Sequence, residues 1–443
     1  MLLKVNGNQI EEFKLYLAKF IALKGISATR EGVVASLKFL TTFIKEQLNG
    51  EVELLPTSTN PAIYTELRGK NSETVLLYGH YDVMEADDLG WQTPPFVLTE
   101  IAGRYYGRGC GDNKGQLLAQ LLGIATYLRE YGELPINLKI LIEGQEEQGS
   151  RDLNKLVQKY QTSLLADIDY VLVIDGSKNV NGKNVIRLGN RGLLAFELGV
   201  KVATRDLHSG NFGNVSENAA LKLIGYLNKC YDFQTKRVKI PGFYADIQPA
   251  TTQELEWIKK LPLPQGQTGS NVAYYHKLMF EPTFNINGMQ SGYTGAKLKT
   301  VIPHKAFIRC DCRLVWGQSP ELIRSQLEQL YHEELARGEL EIKFLAEIAP
   351  SKTESSSPYL MELIKTIREV TGDCLIEPIM PGTVPNYVWT DTLKVPTFTI
   401  PFANFDQNNH SVNENISRQA FWNGIEIIYH FLERKKRYYG TNI

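Results

Sequence analysis

A short apolar run that ends abruptly in carboxylates, from Ile136 to Ser150, constrains the fold more than any other stretch of the chain. Its first half, INLKILI, has the length and composition of a buried strand. Two adjacent glutamates, Glu146 and Glu147, follow within EGQEEQGS. In α/β sheets ligands bind at the carboxyl ends of the strands, where this pattern places both side chains.

The two glutamates are expected to do different work. Neighbouring side chains in extended backbone point in opposite directions, so one carboxylate could hold a cation while the other handles a proton. Taken by itself, EGQEEQGS is more typical of a solvated acidic turn. The rest of the chain therefore decides between the two interpretations.

Strand and helix patterns alternate through the first part of the chain. Thr74–Tyr78 and Tyr170–Ile174 are apolar strands, and helical periodicity predicts helices at Gln116–Tyr131 and Leu153–Leu164. This alternation favours an α/β fold, with a three-layer catalytic domain around a mostly parallel central sheet. At 443 residues the chain exceeds what one hydrophobic core usually supports, so two domains are expected.

The second domain is predicted to interrupt the first. The alternating strand Gly192–Val202 opens a region of α+β character that includes an irregular, proline-bearing segment, 233–282. The polar segment 349–358, APSKTESSSP, is interpreted as a flexible return linker. The predicted limits are 1–188 and 351–443 for the catalytic domain and 189–350 for the inserted lid and dimerisation domain.

Composition argues against several classes of partner. Lys and Arg number 48 and Asp and Glu 49, so the net charge of -1 gives no electrostatic reason to expect nucleic acid or an anionic membrane. No apolar run reaches membrane-spanning length and no secretory leader pattern is visible, which predicts a cytoplasmic protein. The five dispersed cysteines resemble neither a disulfide framework nor a zinc ribbon.

Four further sites carry chemistry at strand ends or in glycine-rich loops. His80 leaves a strand with Asp82 two positions later, where a carboxylate can orient an imidazole. Asp112 lies in the loop GRGCGDNKG, Asp175 follows an apolar strand, and His410 lies in FDQNNHSVNEN. Each alone is more often structural than functional.

Together with Glu147, these sites predict a pair of metal ions. They supply two imidazoles and three carboxylates, which suit zinc, manganese or cobalt better than a thiolate structural site would. A single catalytic metal needs about three protein ligands, so five ligands with a spare glutamate indicate two ions that share a bridge. Two such ions can clamp a water and a carbonyl oxygen, which is the apparatus for hydrolysing an amide.

The order of the motifs resembles the co-catalytic zinc exopeptidases, the family of carnosinases, cytosolic dipeptidases, glutamate carboxypeptidases, aminoacylases and succinyl-diaminopimelate desuccinylases. The motifs run in order from about residue 74 to 416 and read GHYDV, GW-x3-PF, GRGCGDNKG, EGQEEQGS, VIDG, DLHSG and NHSVNEN. The resemblance implies two divalent ions, most often zinc. It implies these roles: His80 and Asp175 on one ion, Glu147 and His410 on the other, Asp112 bridging both, Glu146 as general base, and Asp82 as the orienter of His80.

The resemblance also implies a cis peptide between Asp112 and Asn113. His208 matches a histidine that in relatives reaches across a dimer interface to the scissile carbonyl, so a homodimer through the lid domain is expected. The alternative for His208 is an ordinary surface-loop histidine.

Substrate contacts are expected from lid residues and from one segment, MPGTVP, that departs from the family pattern. Arg313, with Asn285 or Asn287, resembles substrate-binding residues of the carnosinase-like branch, and Arg313 could grip a terminal carboxylate bidentately. The alternative for Arg313 is a lid-surface residue. Many relatives carry a glycine-glycine-serine segment where this chain has MPGTVP, so Thr383 is expected to replace the serine.

The sequence therefore predicts a dinuclear metal-dependent hydrolase that cleaves a peptide bond of a small peptide, with Glu146 as general base. One alternative is an N-acyl-amino-acid deacylase or another amidohydrolase, including a carbamoyl amidohydrolase. Another alternative is a catalytically silent metal-binding scaffold, although a binder has no need of a spare base.

Overall fold

The structure is a computed structural model that describes residues 7–87 and 89–440. Its α-helices are α1 (Gly7–Ala22), α2 (Val33–Leu48), α3 (Lys114–Tyr131), α4 (Leu153–Tyr160), α5 (Ser209–Phe212), α6 (Ala219–Cys230), α7 (Thr252–Ile258), α8 (Asn271–Phe280), α9 (Pro320–Leu330), α10 (His332–Ala336), α11 (Pro358–Thr371) and α12 (Arg418–Gly440). A 3-10 turn spans Glu146–Gln148, and a π-helical turn spans Val388–Leu393.

The strands are β1 (Glu53–Leu55), β2 (Ala62–Leu67), β3 (Gly69–His80), β4 (Thr99–Ile101), β5 (Arg104–Tyr106), β6 (Leu134–Glu143), β7 (Tyr170–Val173), β8 (Val185–Arg187), β9 (Gly189–Asn190), β10 (Gly192–Lys201), β11 (Leu207–His208), β12 (Tyr231–Asp232), β13 (Arg237–Val238), β14 (Thr283–Ser291), β15 (Val301–Ile302), β16 (Lys305–Leu314), β17 (Glu341–Ile348), β18 (Ser351–Lys352), β19 (Leu375–Glu377), β20 (Thr397–Thr399) and β21 (Asn415–Ser417).

An eight-stranded sheet built from both ends of the chain forms the catalytic layer, in the order β1-β2-β6-β3-β7-β20-β8-β19. Its centre is parallel: β3 pairs with β6 on one side and β7 on the other, and β7 pairs with β20. Parallel strands bring their carboxyl ends to one edge of the sheet, so the residues that follow β3, β6 and β7 lie together.

Successive side chains of β3 pack on opposite faces of this sheet. Val75 and Leu77 join the core beneath α1, α2, α3, α11 and α12, whereas Leu76 and Tyr78 join a second core with α4 and Trp389. A strand buried on both faces reads as a continuous apolar run, which is why Thr74–Tyr78 was recognisable from sequence. The predicted three-layer α/β architecture is confirmed.

The lid is a separate antiparallel sheet of four strands, in the order β14-β16-β10-β17. Along β10 buried and half-buried residues alternate, because one face packs against α6 and α9 and the other does not. Leu194, Phe196 and Leu198 supply the buried face. The inserted α+β character predicted for this region is confirmed.

Two local predictions were wrong. The segment 233–282 is not irregular throughout: α7 and α8 form a small core with Ile379, beside edge strand β19 of the catalytic sheet. The supposed flexible linker contains β18, which pairs with β9, and Ser351 is fully buried there. The polar composition of this segment was misleading, because its polar groups find partners inside the protein. The backbone pairs with β9, and the Ser351 hydroxyl donates to Asn190 Oδ1 at 2.7 Å.

Among the described residues, no helix is long and apolar enough to cross a membrane. The five cysteines are buried and form no disulfide.

Candidate metal centre

The register of the central strands sets the first donors side by side. Tyr78 of β3 pairs with Val173 of β7, so His80 and Asp175, each two positions further on, leave the same edge of the sheet together. His80 is fully buried, and its Nε2 lies 3.1 Å from Asp112 Oδ1 and 3.9 Å from Asp175 Oδ2. One imidazole and two carboxylates therefore converge at this edge.

A second group forms around the other oxygen of the same aspartate. His410 Nε2 lies 3.2 Å from Asp112 Oδ2 and 2.9 Å from Glu147 Oε2. In each group the possible ligand atoms lie within 4.8 Å of one another. Asp112 thus contributes one oxygen to each group, which is the arrangement of a bridging carboxylate.

The donor set fits divalent cations. Glu147 Oε2 is buried and accepts no hydrogen bond, although His410 Nε2 lies 2.9 Å away. A buried carboxylate oxygen without a donor is costly, and a cation would compensate it. Oxygen and nitrogen donors without a thiolate suit zinc, manganese or cobalt.

The charge balance of the two groups points the same way. Burial alone would raise the pKa of Asp112, but hydrogen bonds to His410 and His80 lower it well below its usual range. The close carboxylates of Asp112 and Glu147 raise the pKa of His410 to about 10. The clustered carboxylates therefore hold cationic partners, and a bound metal would take the place of those protons.

The chain resembles known proteins over most of its length. Residues 76–434 match the profile of peptidase family M20/M25/M40. The chain belongs to this family. It is accordingly a peptide hydrolase, as the sequence predicts.

Relatives of this M20 chain include human Beta-Ala-His dipeptidase, which is 30% identical over 388 residues, 83% of this chain and 75% of that protein. The Cys-Gly metallodipeptidase DUG1 of Saccharomyces cerevisiae is 28% identical over 82% of this chain and 79% of its own. Among solved structures, an M20 family metallo-carboxypeptidase from Sulfolobus solfataricus is 30% identical, with a TM-score of 0.86 and coverage of 96% and 99% of the two chains.

Glu146 lies beside the first donor group without belonging to either group. Its Oε2 is 3.9 Å from His80 Nε2, and the side chain keeps some contact with solvent. Burial raises the pKa of Glu146 well above its ordinary value; His80 opposes this rise, and the neighbouring carboxylates of Asp175 and Asp112 add to it. A carboxylate with raised proton affinity next to a site for water is suited to general base chemistry.

The backbone at Glu146 and Glu147 differs from the prediction. Both residues lie in the 3-10 turn rather than in extended backbone, so the argument from opposed side chains was wrong in its premise. The turn nevertheless separates the two carboxylates, sending Glu147 to His410 and leaving Glu146 near His80.

Asp82 connects the strand end to that turn. Its Oδ1 lies 3.3 Å from His80 Nδ1, on the ring nitrogen that faces away from the donor group. The same carboxylate accepts the backbone N–H groups of Glu146 at 3.3 Å and Glu147 at 3.2 Å. Asp82 can therefore fix both an imidazole and the glutamate turn.

Contacts near Asp112 made by three residues, Asn113, Asn409 and Glu414, were missed from sequence. Asn113 Nδ2 donates to Asp175 Oδ1 at 3.0 Å. The peptide bond between Asp112 and Asn113 is cis, which the resemblance did imply. Asn409 Nδ2 donates to Asp112 Oδ2 at 3.2 Å. Glu414 Oε1 accepts backbone N–H groups of Gly109, Gly111 and Asp112, each at 2.9 Å, and Oε2 pairs with Arg108. The only sequence signal was the presence of these residues inside the quoted motifs.

The predicted substrate residues lie near the junction of the lid and the catalytic domain. Arg313 Nη1 donates to Thr383 Oγ1 at 2.7 Å, which joins β16 of the lid to the segment after β19. Asn285 is exposed and donates to Asn287 on its own strand, β14, and to Asp311 on β16, the strand that carries Arg313. The structure therefore brings Arg313 and Thr383 together but gives Asn285 only lid partners.

His208 is not part of the metal cluster within this chain. Its Nδ1 accepts the N–H of Gly210 at 3.0 Å, and its Nε2 lies 3.4 Å from Thr300 Oγ1. All these partners are lid residues and the ring is exposed. Within this chain, the hydrogen-bonding contacts of His208 therefore stay inside the lid.

Proposed function

We propose that this chain is a dinuclear metal-dependent dipeptidase that cleaves the peptide bond of a small peptide, with Glu146 as general base. The observation that carries the proposal is the sharing of Asp112 by two donor groups, with Glu146 beside the first of them. Relatives named as Beta-Ala-His dipeptidase and Cys-Gly metallodipeptidase support small peptides as substrates.

The two donor groups would each hold one divalent ion, zinc first and manganese or cobalt as alternatives. His80 and Asp175 serve one ion, Glu147 and His410 serve the other, and Asp112 serves both. Bound there, the ions supply Lewis acidity toward the scissile carbonyl and the attacking water.

Glu146 moves the proton. Its carboxylate takes a proton from water as the water oxygen bonds to the carbonyl carbon. The same proton passes to the amine nitrogen as the carbon–nitrogen bond breaks, which regenerates the carboxylate. Asp82 holds the 3-10 turn through its two backbone hydrogen bonds, and so positions Glu146 for both transfers.

The substrate's free C-terminus is assigned to Arg313. Its guanidinium offers paired donors to a carboxylate, and Thr383 holds one of its nitrogens in place. Asn285 is assigned to the same substrate side of the lid. His208 of a second copy would donate a hydrogen bond to the developing oxyanion, so the active form is a homodimer.

Two alternatives share the same site. A deacylase for N-acyl amino acids would use the same base and the same carboxylate grip. A silent scaffold would bind metal without turnover, and the retention of Glu146 beside complete donor groups argues against it. A panel of dipeptides, dipeptide amides and N-acyl amino acids distinguishes a dipeptidase from a deacylase. Turnover of any member of the panel excludes the silent scaffold.

The decisive experiment measures metal content and hydrolysis on the same samples, with and without chelator. Two equivalents of metal, with activity lost on chelation and restored by zinc, are expected. Glu146→Gln should keep both equivalents while turnover falls about 10²–10⁴-fold, because only the proton transfer is lost. The neighbouring Glu147→Gln is the matched control and should lose metal. Parental turnover of Glu146→Gln would refute the assignment of the base.

A further inference from the structure

A second cavity, of about 560 Å³, is lined by none of the donor residues of the candidate metal centre. Its wall combines the loop after β7, the segment before α12, and the first turn of α12 itself. This size is typical of small-molecule sites. The groups used in the metal chemistry do not line it, so its polar side chains call for a separate explanation.

Lys178 reaches this cavity from the loop after β7. Only 7% of the residue is exposed, and among the described residues its ammonium group has no hydrogen bond and no ion pair. Burial lowers the pKa of Lys178, and Asp373 on the same wall partly opposes this. The side chain is thus enclosed by protein while its ammonium group opens into the cavity without a protein partner, where an anionic group could pair with it.

Asn184 also belongs to the lining of this cavity, where it holds a carboxylate in place. Asn184 is 6% exposed, and its Oδ1 is buried with no hydrogen-bond donor. Its Nδ2 and its backbone N–H donate to Asp373 Oδ1 at 3.1 Å and 3.3 Å. Asp373 itself forms no ion pair within the part of the chain that the structure describes. Asp373 is therefore a carboxylate that Asn184 holds in place and that has no cation, whereas Asn184 Oδ1 is covered by protein.

The first turn of α12 adds positive potential to the wall. This helix is 23 residues long and begins at Arg418, with the hydroxyl of Ser417 accepting the N–H of Ala420 at 3.1 Å. The N-terminus of a long helix attracts negative charge through its dipole and its unsatisfied N–H groups.

The remaining charges of the wall neutralise each other. Arg104 Nη2 lies 2.8 Å from Asp406 Oδ2 in an ion pair. What remains is one cation, Lys178, and one anion, Asp373, which are not paired to each other. A purely anionic ligand would leave Asp373 uncompensated, and a purely cationic one would leave Lys178 uncompensated. A ligand with both charges close together serves both.

We propose that this cavity is a binding site for a small zwitterion of the free α-amino acid class. The carboxylate binds Lys178 and the N-terminal turn of α12, and the ammonium binds Asp373. Free amino acids are also the products of peptide hydrolysis, so a role in sensing product rests on the proposed function, whereas the binding itself does not.

The first test locates the ligand directly. Crystals of the metal-loaded protein are soaked with free L-selenomethionine, whose selenium marks its position by anomalous scattering. A peak in the cavity, with the carboxylate at Lys178, supports the proposal. A peak at the metal centre alone, or no peak, overturns it. This readout does not depend on catalysis, so failure here leaves the peptidase proposal standing.

The second test measures affinity by calorimetry on the metal-loaded protein, with L-methionine, acetate and methylamine as probes. Lys178→Met should weaken the cavity event for L-methionine at least tenfold while metal content is unchanged. The matched control is Lys183→Met, which removes an exposed charge from the same loop and should leave binding unaltered. Equal weakening by both variants, or acetate binding as tightly as L-methionine, overturns the assignment of a zwitterion.

Discussion

Glu254→Gln tests how firmly the inserted domain is joined to the rest of the protein. Glu254 is fully buried at the start of α7, and its Oε1 lies 2.8 Å from Lys352 Nζ on β18, which is itself 7% exposed at the side chain. Its other oxygen accepts the N–H of Thr251 at 2.8 Å in a capping box. Gln can keep the capping contact, so the substitution removes the charge alone.

The expected magnitude follows from burial. Removal of one partner of a buried ion pair leaves the other charge without compensation and typically costs about 3–5 kcal/mol. The local free energy of opening of α7 and β18 should fall by that amount, and their amide hydrogen exchange should accelerate by a hundredfold or more, since about 1.4 kcal/mol corresponds to tenfold. A surface pair such as Lys14–Glu100, partly exposed at both ends, should contribute at most about 1 kcal/mol.

The assay is native-state hydrogen exchange read by mass spectrometry, with thermal unfolding as a second readout. Glu100→Gln is the matched control and should leave exchange of α7 and β18 unchanged. The double variant Glu254→Gln with Lys352→Met should recover most of the loss, because the unpaired ammonium is gone. Parental exchange of both elements in Glu254→Gln, or no recovery in the double variant, would refute the reasoning.

Three further predictions concern the lid, the substrate and the second cavity. His208→Ala should lower turnover about 10²–10³-fold with metal content unchanged. Mixed dimers of His208→Ala with Glu146→Gln should regain activity, because one of the two sites then has both an intact Glu146 and an intact His208 from the other copy. An active monomer would contradict the cross-subunit role. Arg313→Lys should raise KM about 10–100-fold for free dipeptides and leave dipeptide amides unaffected, as compared by steady-state kinetics. Lys178→Met should raise the melting temperature in the absence of amino acids, because burial lowers the pKa of Lys178 and its charge therefore destabilises the folded state. The folded protein releases this proton at a lower pH than the unfolded chain does, so the advantage of Met should shrink as pH rises toward the ordinary lysine value of 10.5.

Sequence reasoning located the parts of the site that follow regular strands. His80 and Asp175 were predictable because apolar runs mark β3 and β7, and parallel strands in register deliver their next residues to one edge. Glu146 and Glu147 were found by position, although the backbone there turns sharply and the reason given for their separation was wrong. Periodicity describes strands and helices well, but it carries no information on a single 3-10 turn.

The supporting residues in loops could not be predicted either, because hydrophobic periodicity carries no information on loops. Asn113, Asn409 and Glu414 are polar residues in loops, and such residues are usually solvated. Their roles arise from contacts across very different parts of the chain, such as Glu414 with the backbone of Gly109 through Asp112. Lys178 gave no signal at all, because a lysine in a glycine- and asparagine-rich loop is ordinarily exposed.

The order of the chain explains why one segment near its C-terminus decides whether the centre forms. Asp112 lies in the first part of the catalytic domain, whereas His410, Asn409 and Glu414, which all contact Asp112, come from the loop that leads to α12. That loop and helix pack against α3, which begins directly after Asp112 and Asn113. The second donor group therefore cannot assemble until the return segment has docked on the first part of the domain. The inserted lid, which folds around its own core, can be added between the two parts without disturbing the donors.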